Sequence, residues 1–180
     1  MRARNIVIML GIILLVGFTV YQHTSASRQE AMLPQEVGPW KDMLAPTFSL
    51  HNMEGDEVYE VGGDRDKALF VNFWASWCGP CELEAPDLVR LHDKYQNNLE
   101  IYAVNATALD SARDAEQFVQ RHGFDFPVLM DVQADAVKLY NVLGYPTSFL
   151  IDKHGVIRDV IHGVLPYDEL EKRVKRLIKY

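Results

Sequence analysis

Residues 68–95 change hydrophobic period midway, and a pair of sulfurs sits at the joint. Ala68-Leu69-Phe70-Val71-Asn72-Phe73-Trp74 is an apolar run with one polar break, the pattern of a strand buried on both faces. Beyond it, Cys81, Glu84, Leu88, Leu91 and Tyr95 are spaced 3, 4, 3 and 4, which is one face of a helix. The joint is Cys78-Gly79-Pro80-Cys81. Cys78 falls at the predicted helix N-terminus, where unpaired N–H groups and the helix dipole favour a thiolate. Pro80 suits a first helical turn because it has no N–H to waste. Cys81 lies one step inside, on the buried face. The pattern predicts an exposed, low-pKa nucleophile at 78 and a shielded resolving thiol at 81.

These are the only two cysteines in 180 residues. As a staple they achieve little: closing a four-residue loop removes about 2 kcal/mol of unfolded-state entropy. A zinc site needs four ligands. There is no second cysteine pair, and the six histidines (23, 51, 92, 122, 154 and 162) show no H-x3-5-H spacing. Of these, His92, His122 and His162 read as surface or capping residues. Redox chemistry remains for the sulfurs. Glu84 shares the apolar stripe with Cys81, so its carboxyl is expected to be partly desolvated, with a raised pKa useful for proton transfer. Glu82 is off the stripe and reads as an acid complementing the helix dipole. Trp77, beside Cys78, is the candidate for an exposed apolar rim, and Trp74 reads as core.

The N-terminus is of different character. Met1-Arg2-Ala3-Arg4 is basic, and Ile6 to Tyr21 is apolar apart from Thr19. This run spans roughly 24 Å as a helix, short for a bilayer core of about 30 Å but workable with flanking residues in the interface. A cleaved signal peptide, with Thr24-Ser25-Ala26 as a weak cleavage site, and an uncleaved anchor with its arginines inside both export the downstream domain. His23, Arg28 and Gln29 make a poor cleavage neighbourhood, so a single-pass anchor (1–21) in the cell membrane, with the rest on the extracytoplasmic side, is the expectation. Residues 22–44, with Pro34, Gly38 and Pro39, read as a tether, and 45–180 as one domain. The net charge of −7 argues against nucleic acid, which needs clustered cations. Lys172, Arg173, Lys175, Arg176 and Lys179 are interleaved with apolar residues and read as a solvated helix face.

Further along, Phe48 to Leu50 and Val58 to Val61 predict a hairpin, and Leu99 to Asn105 a buried strand. Ser111 and Asp114 resemble a capping box opening a helix that ends near Gly123. Phe126 to Met130 predicts a short strand. Asp135 to Val142 predicts a helix with Ala136, Leu139 and Tyr140 inward. Ser148 to Ile151 and Val156 to Ile161 predict a final hairpin, and Leu170, Val174, Leu177 and Ile178 line a last helix. The result is an α/β fold with a central mixed sheet flanked by helices.

Trp77-Cys78-Gly79-Pro80-Cys81 after an apolar strand resembles thioredoxin. With Ala45-Pro46-Thr47-Phe48 at the domain start and Gly144-Tyr145-Pro146-Thr147-Ser148-Phe149 near the end, residues 45–178 are similar to membrane-anchored extracytoplasmic thiol-disulfide oxidoreductases of the ResA and TlpA type. The resemblance implies a thioredoxin-like fold with an N-terminal hairpin and a strand-helix insertion within 112–142. It implies a cis Pro146 whose loop lies against the sulfurs, with the Tyr145 backbone free to pair with substrate beside Trp77, Gly79 and Pro80. It further implies a protein-disulfide reductase with no cofactor beyond the Cys78–Cys81 pair, and a monomer. A transmembrane thiol-electron carrier (CcdA/DsbD-like) would recharge it, and a disulfide-bearing protein such as apocytochrome c would be its substrate. Thioredoxin has an Asp where this chain has Asn72, which cannot titrate; Glu84, at a spacing shared with ResA-like proteins, offers a replacement proton acceptor. Two other activities occur on this fold. A peroxiredoxin-like peroxidase has a P-x-x-x-T-x-x-C pattern, absent here, and a copper-delivery protein typically has C-x-x-x-C, one residue longer than this spacing.

Overall fold

The computed structural model describes residues 9–22 and 33–180. It divides into two units, Met1–Leu33 and Pro34–Tyr180. Among its described residues the first holds a helix, α1 (9–22), with exposed apolar side chains. No helix among the described residues is long and apolar enough to cross a membrane. The basic residues 1–4 and Thr24-Ser25-Ala26 lie outside the described residues.

The second unit runs β1 (Phe48–His51), β2 (Val58–Val61), β3 (Ala68–Trp74), α2 (Gly79–Tyr95), β4 (Leu99–Asn105), α3 (Ala112–His122), β5 (Val128–Met130), α4 (Asp135–Leu139), β6 (Thr147–Ile151), β7 (Ile157–His162) and α5 (Tyr167–Leu177). β1 and β2 form an antiparallel hairpin, and the other strands form one sheet in the order β5-β4-β3-β6-β7. β3, β4 and β5 are parallel, while β6 runs antiparallel to β3 and β7 to β6. This is the mixed sheet predicted from the alternation of strand and helix patterns.

β3 is buried at all seven positions because both faces of the sheet are covered. Its alternate residues separate the core in two. Phe70 and Trp74 join Leu88 and Leu91 of α2, Phe118 of α3, and Leu170, Val174 and Leu177 of α5. Leu69, Val71 and Phe73 join Val61, Tyr102, Tyr140, Phe149 and Ile157 on the opposite face. The hydroxyl of Tyr140 donates to the Pro46 carbonyl at 2.7 Å, tying the start of the domain to the helix side of this second cluster.

Three expectations change. Residues 34–44 belong to the compact unit rather than to a tether. Their backbone pairs along the last hairpin, with Asp42 N–H donating to the Ile157 carbonyl at 2.7 Å and Ile157 N–H to Met43 at 2.9 Å. Prolines and glycines signalled a loop, and the loop is satisfied by the strand beside it. Leu139 is 42% exposed. Its helix is short, fixed by Asp131 accepting from the N–H groups of Asp135 and Val137, so Ala136 and the following Tyr140 are buried and Val137 packs against the core while Leu139 faces out. His92 and His122 are half-buried, with rings 5.4 Å from Phe126 and 4.5 Å from Phe118, whereas His162 is exposed.

The turn between β6 and β7 requires glycine. Gly155 has φ +77°, and a Cβ there would sit 2.9 Å from the Gly63 carbonyl oxygen. Gly155→Ala is expected to lower the unfolding free energy by about 2–3 kcal/mol, from left-handed strain plus backbone contact. Gly163→Ala, with φ +79° but open space around it, should lose only about 1 kcal/mol. Urea titrations of the two variants measure the difference.

Candidate active site

The register of the sheet assembles the site at one end. Parallel pairing puts Trp74 beside Asn105, and antiparallel pairing puts Phe73 beside Thr147. The carboxyl ends of β3 and β4 therefore meet the amino end of β6, the edge at which open α/β sheets leave a crevice. The chain leaving β3 carries the cysteines, the chain leaving β4 carries residues 106–111, and the chain entering β6 carries Tyr145 and Pro146.

Cys78 is the N-cap of α2, and its sulfur accepts from the Cys81 N–H at 3.2 Å. Pro80 lies in the first turn, as its missing N–H predicts. Cys78 and Cys81 are joined in a disulfide, with Cα atoms 5.2 Å apart. The expected contrast in exposure is not present in this oxidised state. Cys78 is 6% exposed and Cys81 3%, and both belong to the α2-side core. The exposed surface here belongs to the neighbours Trp77, Gly79 and Pro80. Trp74, as expected, is core.

Glu84 is 2% exposed, on the same helix face as Cys81. Asn72 Nδ2 donates to its Oε2 at 2.9 Å and to Ser148 Oγ at 2.9 Å. Oε1 has no hydrogen-bond partner among the described residues. Burial pushes the carboxyl up to about 7, against the pull of the Asn72 hydrogen bond and with a small addition from Asp87. Asn72 is thus more than the non-titrating departure read from the sequence. The one polar break in β3 faces α2 by strand alternation and holds the acid in place.

The Tyr145–Pro146 bond is cis, as the resemblance implied. The Pro146 carbonyl accepts from Gly163 N–H at 2.8 Å, whereas the Tyr145 backbone has no backbone partner among the described residues. The Tyr145 ring meets Trp77 edge-on at 5.9 Å. Trp77, 61% exposed, also donates its indole N–H to the Leu109 carbonyl at 2.9 Å. Sequence reasoning missed Ser76, Asn105, Asp110 and Ser148. Polar residues at the ends of apolar strands were their only signal. Among the described residues, no group of three or more His, Cys, Asp or Glu side chains is placed to hold a metal ion.

The raised Glu84 pKa links stability to pH. Between about 4.5 and 7 the native protein binds more protons at this site than the unfolded chain, so stability falls as pH rises through that window. A shift of this size corresponds to about 3 kcal/mol. Urea unfolding of the oxidised protein at pH 5 and pH 8 should show that loss in the wild type, and a much flatter response in Glu84→Gln.

Comparison with known proteins agrees with this geometry. Residues 42–160 match the AhpC/TSA family. The chain is 35% identical over 163 residues to the thiol-disulfide oxidoreductase ResA of Bacillus cereus, covering 90% of this chain and 88% of that one. It is 34% identical over 170 residues to the thioredoxin-like protein YneN of Bacillus subtilis, covering 91% and 92%. The exposed lipoprotein thioredoxin of Streptococcus pneumoniae superposes with a TM-score of 0.62 at 26% identity, over 73% of this chain and 100% of that one. StoA of Bacillus subtilis shares the fold, with a TM-score of 0.63 at 24% identity over 72% and 96%. With a Cys78–Cys81 disulfide at a helix N-terminus and a cis-proline loop entering the adjacent strand, the chain belongs to the AhpC/TSA family and is a thioredoxin-like thiol-disulfide oxidoreductase of the ResA type.

Proposed function

We propose that this chain reduces protein disulfides outside the cytoplasm, tethered to the membrane by its N-terminal segment. The observation that carries the reading is a disulfide-bonded cysteine pair at a helix N-terminus with a buried, half-satisfied carboxyl on the same helix face. In the reduced form, the Cys78 thiolate attacks one sulfur of a substrate disulfide. That S–S bond breaks, and the leaving thiolate takes a proton from solvent. Glu84 accepts the Cys81 proton, and the resulting thiolate attacks the Cys78 sulfur. The second substrate thiolate departs, two electrons have passed to the substrate, and Cys78–Cys81 is the disulfide. A carboxyl with a pKa near 7 is matched to this transfer at neutral pH.

Trp77, Gly79 and Pro80 offer exposed surface beside the sulfurs, and the unpaired Tyr145 backbone suits an extended substrate segment. The apolar helix α1 behind a basic start supports export and anchoring. An exported reductant draws its electrons from across the membrane, so a transmembrane thiol carrier is the implied donor. The haem-site cysteines of apocytochrome c are the substrate suggested by the resemblance to ResA.

Two measurements test the reading. Glu84→Gln keeps the side-chain shape and removes the titration. Disulfide reduction should slow by about 100-fold, the lower end of the range for a lost proton acceptor, and the rate should lose its dependence on a group titrating near 7. An unchanged pH–rate profile would leave Glu84 without a catalytic part. Cys81→Ser removes the resolving sulfur and should accumulate a mixed disulfide on Cys78 in the native host. Acid quenching, which protonates thiolates and stops exchange, followed by mass spectrometry, names the substrate. An apocytochrome c adduct supports cytochrome maturation. Absence of any adduct, with Cys78 still reactive to small disulfides, would overturn protein disulfide exchange.

A further inference from the structure

The turn that delivers Cys78 is held from outside its own helix. Asp110, just past β4, accepts from the Ser76 N–H at Oδ2 (2.7 Å) and from the Ser76 hydroxyl at Oδ1 (2.6 Å). Asn105 Nδ2 donates to Oδ2 at 2.8 Å, and the Ser111 N–H donates to Oδ1 at 2.8 Å. Each carboxylate oxygen thus faces two donors. One residue earlier, the Leu109 carbonyl takes the Trp77 indole N–H at 2.9 Å. The segment 109–110 therefore holds the backbone and side chain of Ser76 and the ring of Trp77 together. The Trp77 ring, fixed at its nitrogen, stands edge-on to Tyr145 of the cis-proline loop. None of these contacts reaches a sulfur. Their effect is to make a wall of two aromatic rings, one from each loop, beside the disulfide.

The chemistry of the joint calls for an ionised carboxylate. Four donors converge, and only a carboxylate accepts at both oxygens. Charge-assisted hydrogen bonds of this kind are shorter and stronger than neutral ones. Although burial pushes the Asp110 carboxyl up, the hydrogen bonds from Ser76, Asn105 and Ser111 carry it below the usual range, so it is charged at neutral pH. An amide of the same shape offers one accepting oxygen and one NH2. Turned toward Oδ2, the NH2 would face the Ser76 N–H and the Asn105 amide donor; turned toward Oδ1, it would face the Ser111 N–H, with only the Ser76 hydroxyl able to turn and accept.

We propose that Asp110 is a positioning residue for thiol-disulfide exchange, clamping turn 75–77 so that Trp77 and Tyr145 form the wall against which a protein substrate is seated. The inference rests on the reading that the substrate is a protein. Its signature is selective. Loss of the clamp weakens the seating of a large substrate and leaves the sulfur chemistry of Cys78, Cys81 and Glu84 to proceed.

Steady-state kinetics of the full chain, with insulin as the protein disulfide and a small aromatic disulfide as the comparison, test it. Asp110→Asn should raise KM for insulin about tenfold with kcat changed less than about twofold, the pattern of lost binding rather than lost chemistry. The rate with the small disulfide should change less than about threefold. Trp77→Ala should show a similar KM rise, and adding Asp110→Asn to it should cost little more, because both act through one ring. If Asp110→Asn folds poorly, Ser76→Ala, which removes only one of the four donors, should give a smaller KM rise of the same kind. A variant that melts earlier but keeps the wild-type KM overturns the proposal, as do equal losses with both substrates or full additivity with Trp77→Ala. If the wild type reduces the small disulfide but not insulin, the protein-disulfide reading fails first and takes this proposal with it. A wild type active on insulin alongside an unaffected Asp110→Asn overturns this proposal alone.

Discussion

One strand carries two demands that pull against each other. β3 must bury both of its faces in the middle of a five-stranded sheet, and it must end in a helix N-terminus whose free N–H groups face a sulfur. The first demand is met by hydrophobic burial on both sides, divided between α2 and α5 on one face and the Tyr140–Phe149 cluster on the other. The second places polar groups close to that core. Asn72, Ser148 and Asn105 lie on the α2 face of neighbouring strands toward the end that holds the disulfide, each hydrogen-bonded. Much of the site consists of the polar groups this burial leaves at one end of the sheet.

Glu84 shows what the arrangement costs. A carboxyl with one oxygen held by Asn72 and the other without a partner is poorly solvated, and its charged form destabilises the native state. The same poor solvation brings its pKa into the range where it can exchange protons with a thiol at neutral pH. Under the proposed mechanism, one buried side chain influences stability and proton transfer in opposite directions as pH rises. Asp110 is the contrasting case. Its four donors keep it charged, so it acts as a fixed clamp while Glu84 is free to titrate.

Much of the architecture was legible because period and punctuation agree. β3 and β4 run as expected from their apolar spans, Cys78 caps α2, Ser111 caps α3 and Gly123 ends it in the left-handed conformation. Misreadings occurred where partners far along the chain decide. Residues 34–44 look like a linker in composition, yet their backbone is satisfied by the edge of the last hairpin. Leu139 fits a helical stripe, but its helix is five residues long and turns Ala136 and Val137, not Leu139, toward the core. His92 and His122 are drawn in by aromatic rings contributed from residues 118–126.

The chemistry of the site was set by local sequence. Cys78-Gly79-Pro80-Cys81 behind an apolar strand determines a redox pair at a helix N-terminus, and the 3-4 spacing to Glu84 places an acid on the same buried face, because both follow from the geometry of one strand and one helix. Tertiary structure decided how that chemistry is held and shielded. Asn72 reaches Glu84 where α2 packs back on β3 and Ser148 only when β6 pairs with β3, Asp110 reaches Ser76 only because β4 runs parallel beside it, and Trp77 meets Tyr145 only where the two loops converge. These contacts join residues 12 to 76 positions apart. Hydrophobic period carries no information about such pairs, since they depend on how elements pack and on the register between strands rather than on the pattern within any one of them.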